Sequence, residues 1–307
     1  MHSYNSGMPS QRKERRRTEQ RNGASKNLDR MTAREIVRVM NGEDRKVATA
    51  VERELPAIAR AVDAIVSSIR NGGRLIYVGA GSSGRMAVLD AAECPPTFGT
   101  SPKLVQALIA GGRRAVTGAV EGAEDSREKG ERDLRGRKLT RRDVVVGITA
   151  SGTTPYVMAA LKYARKLGAT TVAITVNSNI PVGRLAQILI APKVGPEILT
   201  GSTRLKAGSA QKMVLNMLST AAMARLGHVY ENLMIDVKPS NQKVSDRIVR
   251  ILAEASGKSV SACEHALRQS GHNLRTALVM LKLRVSAEEA KKKISEANGD
   301  LRETLGE

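Results

Sequence analysis

Five short apolar runs, 74–78, 104–109, 144–148, 171–175 and 187–191, constrain the fold of this chain more than any other feature. None alternates strictly between apolar and polar residues, so each reads as a strand covered on both faces. The stretches between them are long enough for helices, and that alternation predicts an α/β fold with a five-stranded parallel sheet between helical layers. Apolar residues at helical spacing, Val47, Val51, Leu55, Ile58, Ala61 and Ile65, predict two packing helices before the sheet, over 31–40 and 45–69. A further core helix is expected over 206–226. From about Val244 the chain turns to short, charged amphipathic segments. There Val260-Ser-Ala262 with Glu264 returns as Val285-Ser-Ala287 with Glu289, and Leu274-Arg275 as Leu301-Arg302, which suggests a small helical domain of related helix pairs. The expected division is a basic, flexible tail over 1–30, a central α/β domain over 31–243 and a helical domain over 244–307.

Charge narrows the function. The formal net charge is +20, and residues 1–30 hold eight Lys and Arg against Glu14, Glu19 and Asp29. Aromatic residues make up only 2% of the chain, so platforms for stacking bases are scarce and no specific nucleic-acid partner is expected. No apolar run approaches the roughly 20 residues that a bilayer span needs, which excludes a helical membrane protein. The first 30 residues are polar and lack the apolar stretch of a secretory signal, so a cytoplasmic location is expected. Cys94 and Cys263 fit a reducing compartment, and with His2, His228, His265 and His272 they form no ligand spacing; no metal is expected.

In open parallel sheets, ligands bind beyond the carboxyl ends of the strands. Three loops at such positions share one chemistry: Gly79-Ala-Gly-Ser-Ser-Gly-Arg85, Ala150-Ser-Gly-Thr-Thr154 and Thr200-Gly-Ser-Thr203. Glycines admit close approach of backbone N–H groups, hydroxyls donate further bonds, and helix starts add a favourable dipole. Gly81, Ser82, Ser83, Ser151, Thr153, Thr154, Ser202, Thr203 and Lys206 are therefore the residues expected to hold a phosphate. Gly79, Gly81 and Gly84 also satisfy a dinucleotide-binding pattern. Yet Ile109 is followed by Ala-Gly-Gly-Arg-Arg114 where a ribose-binding acid would stand, so no redox cofactor is expected. A compact sugar phosphate fits better.

Two glutamates stand out near these loops. Glu93 precedes Cys94-Pro-Pro96, which is expected to break the helix and expose it at the sheet's edge, and Glu124 lies within Val120-Glu-Gly-Ala-Glu-Asp-Ser126. Such a pair beside a phosphate site suits general acid and base work.

The chain resembles the N-acetylmuramic acid 6-phosphate etherase family, lyases of the sugar-isomerase (SIS) fold. The resemblance rests on Gly79–Arg85, Leu89-Asp-Ala-Ala-Glu-Cys-Pro-Pro-Thr97, Val120–Ser126 and Thr200-Gly-Ser-Thr-Arg-Leu-Lys-Ala-Gly-Ser-Ala-Gln-Lys212, and it runs from Thr18 into the C-terminal helices. It implies a SIS-type, flavodoxin-like sheet and cleavage of N-acetylmuramic acid 6-phosphate to N-acetylglucosamine 6-phosphate and D-lactate. It also implies Glu124 as base, Glu93 as proton donor, no cofactor and a homodimer. The family commonly has Ser-Gly-Arg-Thr-Pro-Tyr where this chain has Ser151-Gly-Thr-Thr-Pro-Tyr156, so Thr153 bears on substrate preference. Two other activities of the same fold stand beside the etherase. A non-catalytic sugar-phosphate sensor would need the loops but not the glutamates, and an aldose–ketose phosphosugar isomerase would leave the lactyl ether intact.

Overall fold

The computed structural model of the chain describes residues 17–177, 180–237 and 242–307. Two long helices come first, α1 (Ala33–Glu52) and α2 (Leu55–Arg70), followed by β1 (Leu75–Gly79) and α3 (Gly81–Phe98). Next come β2 (Val105–Ile109), the short α4 (Arg114–Thr117), α5 (Arg127–Arg135) and β3 (Val144–Ile148). The α/β part continues through α6 (Pro155–Lys166), β4 (Thr170–Ile174), β5 (Ile188–Ile190) and α7 (Lys206–Arg225). A hairpin of β6 (Val229–Tyr230) and β7 (Leu233–Met234) leads into α8 (Gln242–Ser256), α9 (Val260–Gln269), α10 (Leu274–Leu283), α11 (Ala287–Glu296) and α12 (Leu301–Leu305).

All five expected strands form one parallel sheet in the order β2-β1-β3-β4-β5. The side chains of β1 and β3 are buried along their whole length, which is why those runs show no polar alternation. On one face the sheet packs against α1, α2, α3 and α7 through residues such as Ile65, Tyr77, Val146, Leu215 and Leu218. On the other face α5 and α6 cover Ile76, Val145 and Ala173 with Leu134, Val157 and Leu161. Burial of each such Val, Ile or Leu contributes about 1.5–3 kcal/mol. Gly130 of α5 sets how close that layer comes, because a Cβ there would stand 2.1 Å from the Tyr156 carbonyl oxygen.

Three expectations need correction. The break between the first two helices lies at Arg53-Glu54, not near Asn41-Gly42. A capping box of Thr32 and Glu35 starts α1, and the buried Glu43, Val47, Ala50 and Val51 hold it against the core past Gly42. Pro56, in the first turn of α2, opens the second helix instead. The Cys94-Pro-Pro96 sequence does not break α3: the helix carries Pro95 and Pro96 within it and ends at Gly99, whose φ is 64°. Finally, the flexible tail expected over 1–30 does not extend to Arg30. From Arg17 to Arg30 the chain forms three 3₁₀ turns, with Thr18, Asn22 and Ser25 buried. Asn22 donates to Glu43 and to the Pro196 carbonyl, and Ser25 to the Ile198 carbonyl at 2.6 Å. Residues 1–16 lie outside the described residues.

The helical C-terminal lobe has its own core, built on Leu252, Cys263, Leu267, Ala277 and Leu278. Tyr230, Ile235 and Val237 belong to that core as well, so it begins ahead of the expected boundary at 243/244. Arg275 ties it to the hairpin, donating to both Asp236 oxygens at 3.0 and 2.6 Å and to the Gly227 carbonyl. The helix pairs α9–α10 and α11–α12 are real, but only one of the two sequence echoes tracks them. Leu274 and Leu301 each open a helix after an Asn or Asp cap. Ser286 caps α11, whereas its counterpart in the echo, Ser261, lies inside α9 and Ser259 is the cap.

Candidate active site

In this strand order the connections reverse between β1 and β3, and ligands of such sheets bind at that reversal. The Gly79–Arg85 and Ala150–Thr154 loops flank it, since β1 and β3 are neighbours. Close packing brings the first loop there. A Cβ on Gly79 would meet the Gly84 nitrogen at 2.7 Å, and one on Gly84 would meet Ile109 at 2.5 Å, so both glycines let the first turn of α3 press onto β1 and β2. The cap residue Ala80 supplies no side-chain acceptor, which leaves the N–H groups of the first turn of α3 for an anion. Ser83 is buried and Ser82 half-buried in that turn.

The second loop is a chain of hydroxyls. Thr149 and Thr154 meet at 2.7 Å, Thr149 and Ser151 at 3.4 Å, and Ser151 and Thr153 at 3.2 Å. The Gly152 N–H donates to Thr149 and the Thr153 N–H to Ser151. Thr154 caps α6 without a side-chain bond to it, so this helix start is also open to an anion. The hydroxyls are thus pre-aligned, and a phosphate would replace bonds between hydroxyls with stronger bonds to charge.

Glu124 stands beside the first loop. It lines a cleft of about 270 Å³ together with Ala80, Gly81, Ala110, Val120 and Asp125. Arg85 fixes the approach to this segment. Its guanidinium donates to the Ala115, Val116 and Gly118 carbonyls at 3.1, 3.0 and 2.7 Å, stapling the chain that leads to Glu124 onto α3. That role was not legible in the sequence, because its partners are backbone atoms.

Glu93 lies elsewhere. It is exposed on α3, 12 residues beyond Gly81, which places it about 18 Å along the helix axis from the cleft. Within one chain the two glutamates therefore do not face each other. What anchors the far half of α3 is its neighbour Asp90, a buried residue the sequence reading passed over. It accepts from Tyr77 at 2.9 Å, Ser219 at 3.0 Å and Asn216 at 3.1 Å. Burial raises the Asp90 pKa despite those bonds, and burial with the Asp90 and Glu93 charges pushes the Cys94 thiol up to about 12.

The third loop is tied to the N-terminal turns. Ser202 and Thr203 sit past the edge strand β5, where the Gly201 N–H donates to the Thr18 carbonyl. Lys206 leaves the set altogether. It is 1% exposed, and its ammonium bonds Glu43 at 2.5 Å, so its charge is committed to α1. Glu197, also buried, caps α7 by accepting from the Lys206 and Ala207 N–H groups at 3.0 and 2.9 Å. No group of three or more His, Cys, Asp or Glu among the described residues could hold a metal.

A sheet of this order, with two open helix starts at its reversal, is a flavodoxin-like doubly wound α/β fold of the kind that binds ligands at its reversal. The chain matches the glucokinase regulatory protein N-terminal SIS domain over residues 57–165 and the SIS domain over residues 127–221. It is 54% identical over 288 residues to the N-acetylmuramic acid 6-phosphate etherase of Serratia proteamaculans, covering 94% of this chain and 97% of the relative. To the enzyme of the same name from a Geobacillus species it is 51% identical over 292 residues, covering 95% and 99%. The chain belongs to the N-acetylmuramic acid 6-phosphate etherase family. A phosphoheptose isomerase from Francisella tularensis, 20% identical, shares the fold, with a TM-score of 0.50 over 62% of this chain and 98% of that one.

Proposed function

We infer that the protein is a carbon–oxygen lyase that converts N-acetylmuramic acid 6-phosphate and water to N-acetylglucosamine 6-phosphate and D-lactate. The observation that carries this reading is the match to etherases at 51–54% identity over 94–95% of the chain. The placement of Glu124 in one cleft with Gly81 supports it. In the proposed site the first-turn N–H groups of α3 and α6 and the hydroxyls of Ser82, Ser83, Ser151, Thr153 and Thr154 hold the 6-phosphate. In the ring-opened sugar the C2 hydrogen is acidified by the adjacent aldehyde, and Glu124 removes it. The electron pair expels lactate from C3 while Glu93 protonates the departing ether oxygen. Water then adds at C3 of the unsaturated aldehyde and the proton returns to C2. The phosphate is a handle and does not react.

The distance along α3 requires a second chain in this scheme. A homodimer completes the site, with Glu93 of one subunit meeting Glu124 of the other; Leu89, half-exposed one turn before Glu93, gives that face an apolar contact. A sensor of the same fold would need no glutamate in the cleft, and an isomerase would release no lactate. The test is subunit mixing. Glu93→Gln and Glu124→Gln should each abolish D-lactate release, and C2 hydrogen exchange in heavy water should persist in Glu93→Gln only. Co-refolding equal amounts of the two should restore about a quarter of wild-type activity, since half the dimers are mixed and each mixed dimer holds one intact site. A mixture with no activity rejects the shared site, and wild-type protein that releases no lactate rejects the lyase.

A further inference from the structure

A second cavity, of about 510 Å³, opens between α1 and the turn after β5, with the buried Lys206 in its wall. β5 stands three positions from β1 in the sheet, about 14 Å away, so this chamber is separate from the cleft that holds Glu124. Its charged lining is Arg45, Lys46, Arg53, Lys193 and Lys206 against one carboxylate, Glu43. That carboxylate is already shared. Lys206 reaches one of its oxygens and Lys46 the other, both at 2.5 Å, and the Asn22 amide adds a third bond at 2.9 Å. The buried Lys206 is thus matched by Glu43, and the exposed Lys46 adds a second ammonium at the rim of the cavity, so its positive charge exceeds what one carboxylate can pair. Arg45, Arg53 and Lys193 meet no carboxylate among the described residues.

We propose that this cavity is a binding site for a small phosphate-bearing molecule, recognised by the exposed Lys46, Arg53 and Lys193 around its mouth. Its volume lies in the range of small-ligand sites, and its concave walls suit a compact anion better than an extended polymer. Arginine offers a planar fork that matches phosphate oxygens, and lysine a point charge beside it. The helix dipole of α7 is not the source of affinity, because Glu197 already accepts its first N–H groups.

Equilibrium dialysis with labelled inorganic phosphate tests this on the full chain. Two equivalents per chain are expected, one at the hydroxyl loops and one here. The Arg53→Gln/Lys193→Gln pair, on exposed positions, should weaken one equivalent at least about tenfold, as loss of charge-assisted bonds does, and leave lactate release unchanged. Lys193→Glu alone should do the same, which guards against misfolding of the pair. Ser151→Asp places a carboxylate in the hydroxyl loop and should remove the other equivalent. If Ser151→Asp removes nothing while the glutamine pair still does, the reading of the loops fails and the cavity stands. Phosphate binding unaltered in both cavity variants overturns the proposal. So does a loss seen only for a labelled oligonucleotide, which would make the face a nucleic-acid surface.

Discussion

Replacing Glu43 by glutamine isolates the ion pair that holds α1 to α7. Glu43 is 6% exposed, and burial alone would raise its pKa. Bonds from Lys206, Lys46 and Asn22 override burial and hold it down to about 2, from 4.5 in the unfolded chain. A depression of that size corresponds to about 3 kcal/mol of stability. Because the folded pKa is the lower one, this contribution is complete above pH 4.5 and fades as pH falls toward 2. Glu43→Gln keeps the volume and leaves the Lys206 ammonium buried without a counter-charge, so a loss of about 3–5 kcal/mol is expected at pH 7. For a chain of this size that lowers Tm by roughly 5–8 °C. The chain has no tryptophan, so far-UV circular dichroism is the appropriate probe. The gap between wild type and variant should narrow below pH 4.5, and Glu43→Leu combined with Lys206→Met should recover most of the loss. A Tm change under about 2 °C at pH 7, or a gap that does not shrink in acid, would refute the reasoning.

Two further outcomes follow from the geometry. Gly152 has a φ of 76°, and a Cβ there would stand 1.8 Å from Ile180 Cδ1; Gly152→Ala should displace the hydroxyl loop and lower kcat/KM by about tenfold or more with an unchanged circular dichroism spectrum. Retained activity would show that the loop does not touch the substrate. Asp236 takes Arg275 and His228, and these bonds outweigh burial to hold its carboxyl below the usual 3.8. Its contribution is therefore present above that value and lost as pH falls further. Asp236→Asn should cost about 2 kcal/mol at pH 7 and expose the hairpin at 227–237 to limited proteolysis.

Much of this protein was legible before its tertiary structure. Strand positions followed from runs of apolar residues because a strand buried on both faces needs them, and the hydroxyl loops followed because ligands of such sheets sit past the strands. Local patterns taken alone point elsewhere at three places. Gly42 and Pro95-Pro96 look like helix breaks, yet side chains packed along α1 and α3 hold both helices through them. Lys206 looks like a phosphate ligand because it follows a hydroxyl loop, but its partner lies 163 residues earlier.

The sequence by itself determined the alternation of strands and helices, the positions of the hydroxyl-rich loops after β1 and β3, and the family. Those features depend on side-chain periodicity and on short motifs, which act over a few residues. Tertiary structure alone decided that Glu43 claims Lys206, that Asn22 and Ser25 dock on the turn after β5, and that the axis of α3 carries Glu93 away from Glu124. The physical reason is that long-range ion pairs and the direction of a helix across a sheet are set by how layers pack, and packing joins residues that share no local pattern.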